Sequence, residues 1–162
     1  MNDPRPPVPG IRVEVPGTPG LLLTELLVDF SGTLALDGLV LPGVAEALVS
    51  LSAMLRITVA TADTFGRARE ALAGLPLNIR TVECGEEKAE IVRALGAEQV
   101  VAVGNGSNDV AMFKAAGFSV AVLGPEGTAA GLLTVADLVT PDVHVALDLL
   151  LHPRRLKATL RA

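Results

Sequence analysis

Tyrosine and tryptophan are absent from this 162-residue chain, and four phenylalanines are its only aromatic residues. That excludes the aromatic platforms on which single-stranded nucleic acid stacks. A net charge of −5 argues against phosphate-backbone binding as well, so no nucleic-acid partner is expected. The core must come from Leu, Val and Ala. A single cysteine, Cys84, rules out an internal disulfide and a cysteine zinc cluster, which makes a reducing cytoplasm the expected compartment. Half of the residues are hydrophobic, yet no uncharged apolar run reaches the roughly 18–20 residues of a membrane span. The amino terminus carries neither a basic segment nor an apolar signal core, so no membrane association is expected.

What the chain does have is alternation. Four of the eleven prolines fall in residues 1–10, which reads as a mobile tail, and residues 11–15 read as a short edge strand. Residues 21–162 then read as a single α/β domain. Mostly apolar strands are expected at 21–29, 56–61, 77–82, 99–103, 119–123 and 137–140. Between them lie a hairpin around Asp37-Gly38, a helix opened by Pro42, and a helix capped by Asp63 or Thr64. Further helices are expected over 86–95 and 108–116, from about Thr128, and from Pro141 to the end. Strand and helix alternating in this way give a mostly parallel sheet covered on both faces.

The chemistry collects where the strands end. The apolar run 21–28 stops at a carboxylate, Asp29, followed by Phe30-Ser31-Gly32-Thr33. In open α/β sheets ligands bind at the carboxyl ends of strands. Gly32 permits a tight turn whose N–H groups form an anion-binding nest beside the carboxylate. Thr61 ends the next strand, and its hydroxyl suits a phosphoryl oxygen. Lys88, near the start of a helix, neutralises phosphate and nucleophile together. Gly104-Asn105-Gly106-Ser107-Asn108-Asp109 offers flexible backbone and oxygen ligands for a hard cation such as Mg²⁺. Taken singly, these are a turn hydroxyl, a solvated lysine and a helix entry. In this order, at one edge of one sheet, they form a site.

The set Asp29-Phe30-Ser31-Gly32-Thr33, Thr61, Lys88 and 104–109 resembles the four motifs of the haloacid dehalogenase superfamily over about residues 21–140. Within it, Gly-Asn-Gly-Ser-Asn-Asp followed by Val-Ala-Met-Phe-Lys-Ala-Ala resembles the phosphorylation domain of P-type ATPases and their soluble phosphatase relatives. The resemblance implies a Rossmann-like three-layer sandwich and a Mg²⁺-dependent phosphatase with an aspartyl-phosphate on Asp29. It makes Thr61 and Lys88 phosphoryl ligands and gives the metal Asp29, the backbone carbonyl of Ser31, Asn105 and Asp109.

Two departures and one absence shape the expected activity. Typical members carry a general-acid Asp where this chain has Ser31, and a metal-binding Asp where it has Asn105. A serine hydroxyl is a poor acid near neutral pH, so activated phosphates should be favoured and the phosphoenzyme should be long-lived. Only 27 residues separate Thr33 from Thr61 and 26 separate Thr61 from Lys88, too few for a cap domain. An open site implies a large substrate bearing an exposed phosphate, or a small phosphorylated molecule shielded by self-association into a homo-oligomer. The rival reading is a phosphate- or metal-binding regulatory module that has lost turnover. Asp63 reads as a helix cap, and His144 and His152 lie away from the motifs.

Overall fold

The computed structural model describes residues 5–63 and 66–162. Strands β1 (Ile11–Val13) and β2 (Leu21–Leu23) form an antiparallel pair. Strand β3 (Glu25–Asp29) is followed by the small hairpin β4 (Ala35–Leu36) and β5 (Leu39–Val40), then by helix α1 (Val44–Leu51). Next come β6 (Arg56–Thr61), α2 (Arg67–Ala71), β7 (Asn78–Thr81) and α3 (Gly85–Leu95). After them stand β8 (Val100–Gly104), α4 (Val110–Ala115), β9 (Phe118–Val122), α5 (Ala130–Leu133) and β10 (Leu138–Thr140). Helices α6 (Val143–Leu151) and α7 (Pro153–Leu160) come last.

Six strands make one sheet in the order β10-β9-β8-β3-β6-β7, and every neighbouring pair is parallel. Alternate side chains of each strand serve opposite faces. Leu26 and Val28 of β3 join Ile57, Val59, Val101 and Val103 in a cluster with α1 and α6. Leu27 points the other way, to Ala60, Val100, Ala102 and residues of α3 and α4. A strand buried on both faces needs consecutive apolar residues, which is what β3, β8 and β9 supply. The result is the expected three-layer α/β fold, with no cap: the segment between Thr33 and Thr61 holds only the hairpin, α1 and β6.

Four expectations are revised. The strand expected over 21–29 divides at Thr24, whose N–H donates to Gln99 O and whose carbonyl accepts from Arg56 N. On one side of that break β2 leaves to pair with β1, so residues 11–13 stand outside the central sheet. Residues 5–10, expected to be mobile, are tied down. Arg5 donates to Glu25, Pro6 O accepts from Arg56, and Gly10 N donates to Met54 O. Glu25 is fully buried, and a buried carboxylate requires charged partners that the sequence near it does not hold. The C-terminal helix is two helices, because Pro153 has no N–H to continue α6. Asp63 caps α2 by accepting from Arg67 N and Ala68 N at 2.9 Å each. The alternative cap, Thr64, lies outside the described residues.

Candidate active site

Asp29 is the last residue of the central strand β3, and only 6% of its surface is exposed. Its Oδ1 lies 2.7 Å from the Nζ of Lys88, which is wholly buried and donates at 2.8 Å to Oδ1 of Asp109 as well. Lys88 arrives from the second turn of α3 and Asp109 from the turn that follows β8, so three elements converge on one ammonium. Two carboxylates share a single cation. Burial, then repulsion from Asp109, pushes the Asp29 carboxyl from 3.8 up to about 6, although Lys88 and the Phe30 N–H pull the other way. Burial alone would lower Lys88, but the two carboxylates and their hydrogen bonds more than reverse it and hold the ammonium above the ordinary lysine value.

The other oxygen of Asp109 accepts from the N–H groups of Asn105 and Gly106 at 3.1 and 3.0 Å. Both carboxylate oxygens are thus committed to protein donors. Asn105 is likewise braced: Oδ1 accepts from Thr33 Oγ1 at 3.0 Å, and Nδ2 donates to Gly127 O at 2.9 Å. An amide oxygen keeps a second lone pair after one such bond. Thr61 is buried at the end of β6, one residue beyond Ala60, which faces Asp29 in the sheet register. Its hydroxyl has no hydrogen-bond partner among the described residues.

Gly32 takes on a different task from the expected nest. Its N–H donates to Ala35 O, and the N–H groups of Thr33, Leu34 and Ala35 all turn back to Phe30 O, leaving none of the four for an anion. What glycine provides here is space and handedness. The residue has φ of +73°, and a Cβ would lie 2.5 Å from Asn105 Nδ2. Any side chain at 32 would therefore push the Asp29 turn off the Asn105 loop.

The oxygen donors suit a hard cation. Among the described residues no three His, Cys, Asp or Glu side chains gather in one place, so the protein brings few charged ligands. Mg²⁺ tolerates this, since it keeps several waters and takes one or two carboxylates plus substrate phosphate oxygens. The unbalanced negative charge that raises Asp29 is the kind a divalent ion relieves. Asp29 and Asn105 could hold such an ion, and Asp109 Oδ1, which accepts only from Lys88, keeps a lone pair beside them.

Sequence reasoning passed over two charged residues at the rim of the site, Arg67 and Glu126. A cleft of about 330 Å³ opens beside Ser31 and is lined also by Phe30, Asp37, Asp63, Arg67 and Glu126. Glu126 lies in the loop after β9, at the carboxyl edge of the sheet. A larger hollow of about 720 Å³ lies along the edge strand β7, among Arg5, Arg69, Asn78 and Arg80, away from Asp29.

A family model described as haloacid dehalogenase-like hydrolase matches residues 9–117. An uncharacterized protein of Methanocaldococcus jannaschii, MJ0073, is 42% identical over 64 residues, which are 40% of this chain and 69% of that one. The phospholipid-transporting ATPase tat-1 of Caenorhabditis elegans is 35% identical over 108 residues, covering 59% of this chain and 9% of the ATPase. The chain therefore spans about a tenth of that relative's length. In three dimensions, the cobalt-bound deoxy-D-mannose-octulosonate 8-phosphate phosphatase of Haemophilus influenzae superposes with a TM-score of 0.69 at 17% identity. That superposition covers 85% of this chain and 92% of the phosphatase.

Proposed function

Because the chain belongs to the haloacid dehalogenase-like hydrolase family, we propose that it is a Mg²⁺-dependent phosphohydrolase or phosphotransferase acting through an aspartyl-phosphate on Asp29. The observation that carries this reading is the buried Asp29 carboxylate at the end of the central strand, 2.7 Å from a buried lysine. A carboxyl group pushed up to about 6 is still mostly ionised at pH 7 and is more basic than an ordinary aspartate, as a nucleophile requires.

In the first half-reaction Asp29 attacks phosphorus and the ester or anhydride oxygen departs. Lys88 offsets the charge of the incoming phosphoryl group, and the free Thr61 hydroxyl donates to one of its oxygens. Asp109 is a positioning residue: it holds Lys88 and, through the Asn105 and Gly106 N–H groups, the loop beside it. Mg²⁺, held by Asp29, the Ser31 carbonyl and Asn105, supplies further neutralisation of the phosphate when bound. Ser31 stands exposed where an acid would protonate the leaving oxygen. General acid help is typically worth about 10²–10⁴-fold, so acyl and aryl phosphates, whose leaving groups need it least, are the favoured class.

The substrate is a small phosphorylated molecule or an exposed phosphate on a larger one. Shielding of the open site by a second copy of the chain is part of the proposal, and sedimentation at micromolar concentration tests it. A cytoplasmic setting suits a chain with one cysteine, and among the described residues no helix is long and apolar enough to cross a membrane. The decisive experiment is Asp29→Asn assayed on acetyl phosphate and an aryl phosphate with Mg²⁺. Turnover and acid-stable label on the protein should both vanish. A variant that keeps wild-type activity removes Asp29 from the chemistry. A wild-type chain that binds phosphate yet turns over none of these substrates is the regulatory module instead.

A further inference from the structure

The phospho-Asp29 reading leaves its second half without a base, since Ser31 offers only a hydroxyl to the water that must attack. Two carboxylates of the cleft beside the nucleophile turn, Asp37 and Glu126, have no structural work. Among the described residues Glu126 makes no hydrogen bond and no ion pair, and it lines the cleft together with Ser31 and Phe30. The loop that carries it is nevertheless fixed. Gly127 N donates to Gly124 O, and Ala129 N donates to Asn105 O. The Thr128 hydroxyl donates to Val122 O and accepts from Gly124 N, while Gly127 O accepts from the Asn105 amide.

This loop is pressed onto the turn after Asp29. A Cβ on Gly124 would lie 2.1 Å from Gly32 O, so only glycine permits the approach, and the Cβ position of Gly32 is 3.2 Å from Cβ of Glu126. Glu126, an exposed residue on a braced backbone, therefore stands with its Cβ against the residue next to Ser31 and lines the cleft. Its rivals are weaker. Asp63 spends both oxygens on the Arg67 and Ala68 N–H groups. Asp37 sits at the tip of the β4–β5 hairpin, where two-residue strands hold it.

Resting on the aspartyl-phosphate reading, we propose that Glu126 is the general base for hydrolysis of phospho-Asp29. A water molecule in the cleft loses a proton to a carboxylate oxygen of Glu126. Its oxygen forms a bond to phosphorus as the bond from phosphorus to the Asp29 oxygen breaks. Inorganic phosphate and the Asp29 carboxylate are released, and Glu126 returns its proton to solvent. The role assigned to Glu126 concerns the second half alone, and the preference for activated phosphates in the first rests on Ser31.

The test follows the label from radioactive acetyl phosphate on the protein, with Mg²⁺, by rapid quench. In Glu126→Gln the label should appear as fast as in the wild type and decay about 10²-fold more slowly. Glu126→Asp, which keeps a carboxylate, should recover part of the decay that Glu126→Gln loses, which a merely structural role for Glu126 does not predict. Asp37→Asn should decay like the wild type. Unchanged decay in Glu126→Gln, or equal slowing in Asp37→Asn, overturns the assignment while leaving phospho-Asp29 intact. A wild-type chain that never takes up label overturns the phosphoenzyme itself, and the role of Glu126 with it.

Discussion

The two ends of β3 each bury a carboxylate, and they treat it in opposite ways. Glu25, at the amino end, has two guanidinium partners, Arg56 at 2.7 Å and Arg5 at 3.3 Å. Asp29, four residues on, shares one ammonium with a second buried carboxylate. The first cluster carries one positive charge in excess, and its arginines reach solvent. The second carries one negative charge in excess and is almost wholly buried, with only Asp29 reaching the surface. The same strand is thus anchored at one end and charge-deficient at the other. A stable fold has no need of the second arrangement, and a site for a cation and a phosphoryl group does.

Removing the shared cation should break the contrast most violently. Lys88→Met leaves two carboxylates buried without a counter-charge, and breaking buried pairs in this way costs about 3–5 kcal/mol. Urea unfolding at pH 7 checks it, and a cost under about 1 kcal/mol contradicts the buried geometry. Mg²⁺ should act in the opposite direction on the same end. At a hundredfold excess over its dissociation constant, a ligand of the native state adds about 2.7 kcal/mol. Wild-type protein should melt higher with Mg²⁺, and Asp29→Asn should respond much less.

Asp29→Asn should itself be stabilising, by about 2–3 kcal/mol at pH 7. The sign follows from the carboxyl being pushed up to about 6 in the folded chain against 3.8 ordinarily. Between those values the native state holds more protons than the unfolded one, so stability falls as pH rises through the window. The variant's advantage is therefore full above about pH 6 and gone below about pH 4, which melting curves across that range will show. The smallest effect belongs to the other end. Arg5 is partly exposed, and Arg5→Ala should cost under about 1 kcal/mol, because Arg56 still pairs with Glu25.

The carboxyl end was legible in the sequence because strand, turn and motif all mark it. Asp29 and Lys88 meet as read, with Asp109 on the same ammonium, and the Asp37-Gly38 hairpin forms, with positive φ at both residues. The amino end was not legible. Nothing local distinguishes Glu25 from a surface glutamate inside an apolar run, and its partners come from 20 and 31 residues away. The division of the strand at Thr24 was hidden for the same reason, since it depends on where β1 finds its partner. The nest at Gly32 misled because spacing reveals a tight turn without revealing which N–H groups the turn consumes. Glu126 was missed because its loop carries no motif of its own, and only the fold brings it to Gly32.

The position of β3 in the sheet also bears on how the chain reaches this state. Its neighbours are β6 and β8, which begin 31 and 75 residues after Glu25. The central strand can be completed only by closing both loops, and such non-local pairing places folding in the slower, roughly millisecond-to-second range. During synthesis β3 has to wait for β8 to emerge, its apolar faces uncovered. Stopped-flow refolding probes this directly: microsecond folding would mean that β3 is not where the sheet is completed.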